Sequence, residues 1–380
     1  MDAPERALEV RAGEGLELRA DHPLAGLLGR PPPCLRLAAL PTPVERAAWL
    51  DRQGVEVWVK RDDLTSDLYG GGKVRKLEWL LANPPFDGRA PIVSIGGIGS
   101  HHLVALALYL RGLGRRLHAL TFDQVYTPHV ERNLGALISL DAELWPTRTR
   151  AGLPLAWLAY HVWRRPAEMG VSMAPGASTG LGGFGFVAAG LELAAQIADG
   201  LLPKPATIYI TGGSAGSSAG LAVGLALAGI GCRLRIVSAV ERWAFNGLLY
   251  RRMIGQIVAA LATHGLDPAR LRGGASGLLA GAGVTWSIDH SQVGPGYAVP
   301  TGGGQAAVEH AAAHGLHLET TYTGKCLAAF AADLRGGGVV GPALLWNTHG
   351  DNDLRRWIKD GWEARLPAGL RGRLDSLREG

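Results

Sequence analysis

A strand-then-helix rhythm that recurs along most of the chain constrains the fold more than any other feature. Short apolar runs predict strands, and longer segments with helical periodicity follow them. The predicted strands are 55–60, 91–95, 116–121, 143–145, 207–211, 235–239 and 343–347. The predicted helices are 74–81, 102–113, 128–138, 153–164, 186–198, 219–228, 246–264, 303–314 and 325–334. Alternation of this kind favours an α/β protein with parallel sheets covered by helices on both faces.

The length and composition allow this architecture. A chain of 380 residues is long enough for two domains, and 47% hydrophobic with 19% charged residues is an ordinary globular balance. The 55 glycines are roughly twice the average usage, which suits many tight turns and ligand loops lined by backbone.

The charge pattern argues against nucleic acid as a partner. The net charge is only +5, and the arginines are scattered rather than arranged in a basic stripe with interleaved aromatic residues. A mildly positive chain is compatible with an anionic cofactor and a carboxylate substrate.

Cysteines and apolar segments predict a cytoplasmic protein. Cys34, Cys232 and Cys326 form an odd, sparse set without a C-x-x-C pair, as expected for free thiols in a reducing compartment. The N-terminus lacks the apolar region of a signal peptide. The most apolar run, Ala215 to Cys232, is short and rich in glycine, so we expect a buried helix and no membrane span.

The stretch Tyr69 to Glu78 reads Y-G-G-G-K-V-R-K-L-E and is the first candidate for chemistry. Three glycines leave the backbone free to adopt positive φ, and Lys73 follows at the start of a helical run. The positive end of a helix disfavours an ammonium, so the neutral amine that attacks carbonyl groups becomes easier to reach. A solvated lysine after a turn is the alternative interpretation.

Three motifs in order resemble one enzyme family. They are V-K-R-D-D-L-T at 59–65, G-G-x-K-V-R-K-L-E at 70–78 and S-I-G-G-I-x-S at 94–100. This set is similar to the family of 1-aminocyclopropane-1-carboxylate (ACC) deaminase and D-cysteine desulfhydrase, over about residues 41–352. The resemblance implies a pyridoxal-phosphate (PLP) enzyme with the two-domain tryptophan synthase β-like fold (fold type II). It also implies that Lys73, not Lys76, carries PLP as a Schiff base.

The same resemblance implies a domain organisation and an assembly. We expect a smaller α/β domain of residues 76–185 inserted into a larger PLP-binding domain of residues 1–75 and 186–380, with PLP in the cleft between them. A homodimer is implied by the family alone.

A second glycine-rich segment, 211–220, lies between a predicted strand and a predicted helix. Small residues there let backbone N–H groups converge on an anion at the helix N-terminus. This segment resembles the phosphate-binding loop of the family, although a tight strand-to-helix connection is the alternative, and the spacing does not fit G-x-G-x-x-G. The implied cofactor-binding residues are Thr211, Gly212, Gly213, Ser214, Ala215 and Gly216.

The turn before the helix that starts near residue 102 carries a second group of candidates. Its free N–H groups suit a substrate carboxylate. The family usually has Q-S-N here; this chain keeps Ser100, a candidate catalytic and substrate-binding residue, but has Gly99 and His101 in the other places. His101 can still donate to the phenolic oxygen of PLP, as the asparagine does, and could also contact substrate. His102 is a candidate substrate contact, with a polar side chain exposed to solvent as the alternative.

The segment T-T-Y-T-G-K at 320–325 resembles a third family motif. Tyr322 matches a catalytic tyrosine near the substrate α-carbon. ACC deaminases carry a glutamate in the next place, which protonates the pyridine nitrogen, whereas Thr323 can only share a hydrogen bond. Thr348 matches a second hydroxyl near that nitrogen, and Tyr297 matches a substrate-binding tyrosine, with simple packing as its alternative.

These residues together predict a PLP-dependent lyase acting on a small amino acid. A threonine at 323 favours β-elimination from D-cysteine-like substrates, in which a good leaving group lessens the need for carbanion stabilisation. ACC deamination is the first alternative. A binding or sensing protein that has lost the chemistry is the second, motivated by Gly72 in place of the family's asparagine, Gly99 and His101. No H-E-x-x-H motif supports a metal site.

Overall fold

The computed structural model describes residues 21–52 and 54–379. These residues form two compact units, one of residues 21–80 and 178–351 and a smaller one of residues 81–177 and 352–379. The predicted domain boundaries at 76 and 185 stay a prediction. The C-terminal residues from 352 onward, which the sequence places in the larger domain, cluster with the smaller unit.

Strands and helices alternate through the described residues, as the sequence predicts. The strands are β1 (Val44–Arg46), β2 (Val57–Arg61), β3 (Ile92–Gly97), β4 (Leu117–Phe122), β5 (Glu143–Thr147), β6 (Val171–Ser172), β7 (Thr207–Gly212), β8 (Arg233–Ser238), β9 (Thr285–Asp289) and β10 (Ala343–Asn347). The α-helices are α1 (Val74–Leu80), α2 (His101–Gly112), α3 (Pro128–Ser139), α4 (Leu153–Trp163), α5 (Phe184–Ala198), α6 (Gly216–Leu227), α7 (Gly247–Thr263), α8 (Gly274–Gly281), α9 (Gly302–Ala312), α10 (Thr323–Arg335), α11 (Ala368–Arg371) and α12 (Leu374–Glu379).

The larger unit contains a six-stranded sheet in the order β1-β2-β10-β7-β8-β9. Only the edge strand β1 is antiparallel to its neighbour, and the other pairs are parallel. Parallel neighbours end at the same edge of a sheet, and ligands in open α/β sheets bind outside these carboxyl ends. The segments that follow β2, β10 and β7 therefore meet at one edge, and they carry the predicted site residues of this unit.

The smaller unit contains a four-stranded, fully parallel sheet in the order β5-β4-β3-β6. Strands β3 and β4 pair in register along their whole length, from Ile92 opposite Leu117 to Gly97 opposite Phe122. The turn after β3 and the segment after β4 are therefore neighbours. Together the two sheets confirm the predicted α/β class with parallel-rich sheets flanked by helices.

Small residues bring helices α5 and α6 into close contact in the larger core. A Cβ atom added to Gly224 would lie 2.2 Å from the carbonyl oxygen of Val187, and one added to Gly190 would lie 2.7 Å from the backbone of Gly224. Only glycine fits at such a backbone approach. The apolar run 215–232 thus contains a buried helix, and none of the helices in the described residues is long and apolar enough to cross a membrane.

Candidate active site

The glycine turn before Lys73 is tied to the ends of two neighbouring strands. The N–H of Gly71 donates to the carbonyl of Asp62 (2.8 Å) after β2, and the N–H of Gly72 donates to the carbonyl of Thr348 (3.1 Å) after β10. Gly71 has φ of +91°, and a Cβ there would lie 2.7 Å from the Thr348 oxygen. Glycine is therefore required at 71, and the turn fixes where the chain delivers Lys73.

Gly72 departs from the family pattern for a reason visible in the packing. A Cβ atom at this position would lie 2.7 Å from Cζ of Phe186, the third residue of α5. The aromatic ring occupies the space that an asparagine side chain would need. This coupling between residues 72 and 186 cannot be read from the local motif.

Burial is the main influence on the Lys73 amine. It lowers the pKa of the half-buried Lys73, and the carboxylate of Glu319 offsets part of that effect. The position of Lys73 at the start of a helix predicts a lowered pKa, but α1 has only seven residues and burial is the cause of the lowering. The neutral, nucleophilic form of the amine is favoured as expected, through a different physical cause.

The loop from Thr211 to Gly216 joins β7 to the twelve-residue helix α6. Ala215 adopts φ of +67°, outside the usual range for alanine. The Ser214 hydroxyl lies 2.8 Å from the hydroxyl of Ser178. The loop therefore combines a helix N-terminus with two neighbouring hydroxyl groups, the donors that suit a phosphate.

Lys76 is a functional candidate that the sequence reasoning set aside in favour of Lys73. Its side chain is 1% exposed, and Nζ donates to the hydroxyl of Ser178 (3.1 Å). A Cβ added to Gly216 would lie 3.0 Å from Nζ, so the amine lies at the start of α6. Burial, and then the neighbouring Lys73, lower the pKa of Lys76 well below its usual value. Lys76 follows Lys73 by three residues, and residues i and i+3 share a helix face. This spacing was the signal in the sequence that the two amines lie close together.

The two predicted tyrosines lie together beside the loop from Thr211 to Gly216. The hydroxyl of Tyr322 donates to that of Tyr297 (3.2 Å), and a Cβ on Gly213 would lie 3.2 Å from the Tyr322 ring. The buried Lys325 holds the segment of Tyr297 against α10, because its Nζ donates to the carbonyl of Val293 (2.9 Å).

Glu319 was not singled out from the sequence, yet it organises the segment of Tyr322. Its carboxylate accepts hydrogen bonds from the backbone N–H groups of Thr321 (2.6 Å), Tyr322 (2.7 Å) and Thr323 (2.9 Å), which caps α10. The signal in the sequence for this capping role was an acidic residue four positions before the first residue of α10.

The two predicted threonines differ in their surroundings. The Thr323 hydroxyl accepts from the N–H of Glu319 (3.1 Å) and lies 3.5 Å from the carboxylate of the same residue. The Thr348 hydroxyl lies 3.2 Å from that of Thr211, across the adjacent ends of β10 and β7. The structure therefore brings Thr348 to the start of the phosphate-type loop, whereas Thr323 bonds with the cap of α10.

Ser100, His101 and His102 belong to the smaller unit. Ser100 caps α2, its hydroxyl accepting from the N–H of Leu103 (3.4 Å). His102 is buried, and its Nε2 lies 3.0 Å from the hydroxyl of Ser94. A packing role accounts for this contact of His102, and its predicted contact with substrate stays a prediction.

Gly99 is also explained by packing. A Cβ at this position would lie 2.6 Å from Cγ2 of Val130 and 2.9 Å from its Cα. The turn therefore lies directly against α3 and has no room for the glutamine that the family usually carries.

A buried ionic cluster supports the segment that carries Lys73. Arg75, with 0% exposure, pairs with Asp62 (2.7 Å) and Glu192 (2.9 Å), and Lys60 also pairs with Glu192 (2.5 Å). The indole of Trp346 donates to Asp62 (2.8 Å). Two cations face two carboxylates, so the cluster is balanced and joins β2, α1, α5 and β10.

Comparisons with known proteins agree with this geometry. A model of the family described as pyridoxal-phosphate dependent enzyme matches residues 35–343. The D-cysteine desulfhydrase of Salmonella choleraesuis (strain SC-B67) is 32% identical over 307 residues, covering 78% of this chain and 87% of the relative. That of Salmonella paratyphi B (strain ATCC BAA-1250 / SPB7) is 31% identical over 331 residues, covering 84% and 94%.

A solved structure extends the likeness to the fold. The crystal structure of an ACC deaminase homologue matches with a TM-score of 0.69 at 21% sequence identity, over 95% of this chain and 99% of that one. At this identity the likeness concerns the fold alone. It confirms the expected PLP fold of type II.

Proposed function

The chain belongs to the family of pyridoxal-phosphate-dependent enzymes, and from that premise we propose that it eliminates a leaving group from the β-carbon of a small amino acid. D-cysteine, with pyruvate, sulfide and ammonia as products, is the proposed substrate. The observation that carries this proposal is the half-buried Lys73 amine, held by a glycine turn in the same unit as a phosphate-type loop. Relatives named D-cysteine desulfhydrase support the choice of substrate.

The residues present fit PLP. A phosphate dianion accepts hydrogen bonds from N–H and O–H donors, and the start of α6 offers backbone N–H groups, two serine hydroxyls and the buried amine of Lys76. The aldehyde partner is Lys73. When bound, PLP withdraws electrons from the α-carbon of an amino acid and so makes its α-proton acidic.

The remaining roles follow from the side chains that the structure describes. We assign to the Lys73 amine the removal of the α-proton, since burial favours its neutral form. The Tyr322 hydroxyl, hydrogen-bonded to Tyr297, is the second proton carrier, and Tyr297 contacts substrate. The hydroxyls of Thr348 and Thr323 would hydrogen-bond to the pyridine nitrogen of PLP. Without a carboxylic acid at 323 that nitrogen stays less protonated, which favours loss of a good leaving group.

The smaller unit contributes the remaining proposed residues. The N–H groups at the start of α2, together with the Ser100 hydroxyl, bind the substrate carboxylate. His101 would donate to the phenolic oxygen of PLP. His102 completes the proposed substrate contacts, although its buried bond to Ser94 makes it the least exposed of the three.

The test is a product assay with purified protein and added PLP. We expect release of pyruvate and sulfide from D-cysteine, with little from L-cysteine as the control for stereochemistry. Formation of 2-oxobutanoate from ACC without sulfide from D-cysteine would favour the deaminase alternative. No product from any amino acid, despite bound PLP, would contradict the proposal and favour a binding or sensing role.

Replacing Lys76 with methionine should weaken PLP binding. A hydrogen bond to a charged group contributes about 1.5–3 kcal/mol, which corresponds to roughly 10- to 100-fold in the dissociation constant for PLP. Titration of the cofactor-free protein with PLP measures this constant. Lys204→Met, which removes an exposed lysine in the same unit, is the control and should change it less than twofold. Equal affinities for the Lys76 and Lys204 variants would refute the assignment of Lys76.

A cytoplasmic location and a homodimer complete the proposal. The three cysteines are free and buried, which is compatible with a reducing compartment. The homodimer rests on the family resemblance, and sedimentation of the purified protein would test it.

A further inference from the structure

The histidine at position 101 raises a question that an asparagine would not, because a neutral imidazole has two tautomers. Only a ring nitrogen that carries a proton can donate a hydrogen bond. The neutral ring always has one N–H donor, and its neighbours determine whether Nδ1 or Nε2 carries it. Asn133 and His129, both on α3, are the neighbours in the smaller unit that orient this ring.

The orientation of the buried Asn133 amide follows from a contact with the backbone. Its Nδ2 lies 2.9 Å from the carbonyl oxygen of Gly99. A carbonyl oxygen only accepts hydrogen bonds, so the amide nitrogen, not the amide oxygen, must face it. This contact settles the choice between the two flipped forms of the amide, which otherwise look alike.

The same nitrogen reaches the imidazole. Nδ2 of Asn133 lies 3.5 Å from Nδ1 of His101. An amide nitrogen has two hydrogens and cannot accept, so one hydrogen serves Gly99 and the second is available to Nδ1. Nδ1 must then accept, and the proton of the neutral ring resides on Nε2.

Other contacts keep the ring and the turn in place. The ring of His101 stacks on that of His129, with centroids 5.6 Å apart and planes 13° apart, and Nδ1 of His129 bonds with the Thr127 hydroxyl (2.9 Å). Gln124, just after β4, accepts from the N–H of Gly99 (3.2 Å). Gly99 is therefore held through its N–H by Gln124 and through its carbonyl by Asn133.

We propose that Asn133 is a positioning residue that holds His101 in the Nε2–H tautomer, so that the N–H donor of this side chain is at Nε2. This inference rests on the proposed function, in which that donor binds the phenolic oxygen of PLP. It also explains how histidine replaces asparagine at this position, since both side chains then offer an N–H group.

The test is ¹⁵N NMR of the full-length protein with ¹⁵N-labelled histidine, recorded both with PLP and after its removal. A protonated and an unprotonated ring nitrogen differ in ¹⁵N shift and in their couplings to the carbon-bound protons. His101→Asn identifies the signals of His101. We expect Nε2 protonated and Nδ1 unprotonated in the wild type, and Asn133→Asp to put a proton on Nδ1, because a carboxylate can only accept.

Asn83→Asp, a buried asparagine elsewhere in the smaller unit, is the matched control and should leave the His101 signals unchanged. A wild-type ring protonated on Nδ1 would overturn the inference, and so would an Asn133→Asp protein that folds and keeps the wild-type pattern. If that variant does not fold, the wild-type spectrum alone decides which ring nitrogen of His101 carries the proton. The tautomer in the PLP-free protein is measured independently of catalysis, so loss of the proposed function would leave this result readable.

Discussion

We expect that replacing Lys73 with alanine reduces product release from D-cysteine by at least about 1,000-fold. The variant loses both the amine that binds PLP covalently and the group that moves the α-proton, and proton transfer by a positioned side chain alone contributes roughly 10²- to 10⁴-fold. A steady-state assay of pyruvate at saturating PLP measures the loss. The glycine turn remains intact, because its hydrogen bonds are made by backbone atoms of Gly71 and Gly72.

Two controls separate chemistry from folding. Lys73→Arg keeps a cation but not a nucleophile and should be equally inactive. Lys204→Ala removes an exposed lysine and should keep wild-type activity. Activity of the Lys73→Ala variant within tenfold of wild type, in folded protein, would mean that another group performs the chemistry.

The second large effect concerns stability. Arg75→Met leaves the carboxylates of Asp62 and Glu192 buried without their guanidinium partner. Burial alone raises the pKa of Glu192, but Arg75 and Lys60 outweigh it and lower that pKa to about 2. Removing one partner of a buried ion pair costs about 3–5 kcal/mol, so we expect the free energy of unfolding to fall by that amount. Unfolding in urea measures it.

Arg46→Met provides the matched control for this prediction. Arg46 pairs with Asp51 at the surface, where both side chains are about one-third exposed. Surface pairs contribute roughly 0–1 kcal/mol, so this variant should lose little stability. A loss for Arg75→Met no larger than that of Arg46→Met would show that the buried cluster does not support the segment of Lys73.

The cluster also predicts the direction of acid sensitivity. The folded-state pKa of Glu192, about 2, lies below its ordinary value, so the unfolded chain binds this proton more readily. The stability that Glu192 contributes is present at neutral pH and is lost as the pH falls from its ordinary pKa toward 2.

The local sequence was sufficient for the elements that carry strong patterns. β10 lies at the predicted residues 343–347, and β7 extends the predicted 207–211 by one residue. Both are central strands whose residues are all buried. β1 and β6 were missed because they have only three and two residues, and β9 because its residues are only partly buried at the sheet edge.

Local sequence patterns could not identify the residues whose roles depend on contacts with distant parts of the chain. Phe186 explains Gly72, and Val130 explains Gly99, yet each partner lies far along the chain. Lys76 stands in the motif itself, but its burial beside Ser178 depends on a segment about one hundred residues away. The motifs thus predict which backbone turns form the candidate site, whereas long-range contacts decide which side chains complete it.

Mapping the lysine that binds PLP tests the proposed role of Lys73 directly. The purified protein is incubated with PLP, treated with sodium borohydride, digested, and analysed by mass spectrometry. Reduction fixes the cofactor to its lysine and removes the violet absorption band. We predict the pyridoxyl group on Lys73 and not on Lys76. A label on another lysine, or no violet band and no label at saturating PLP, would contradict the account.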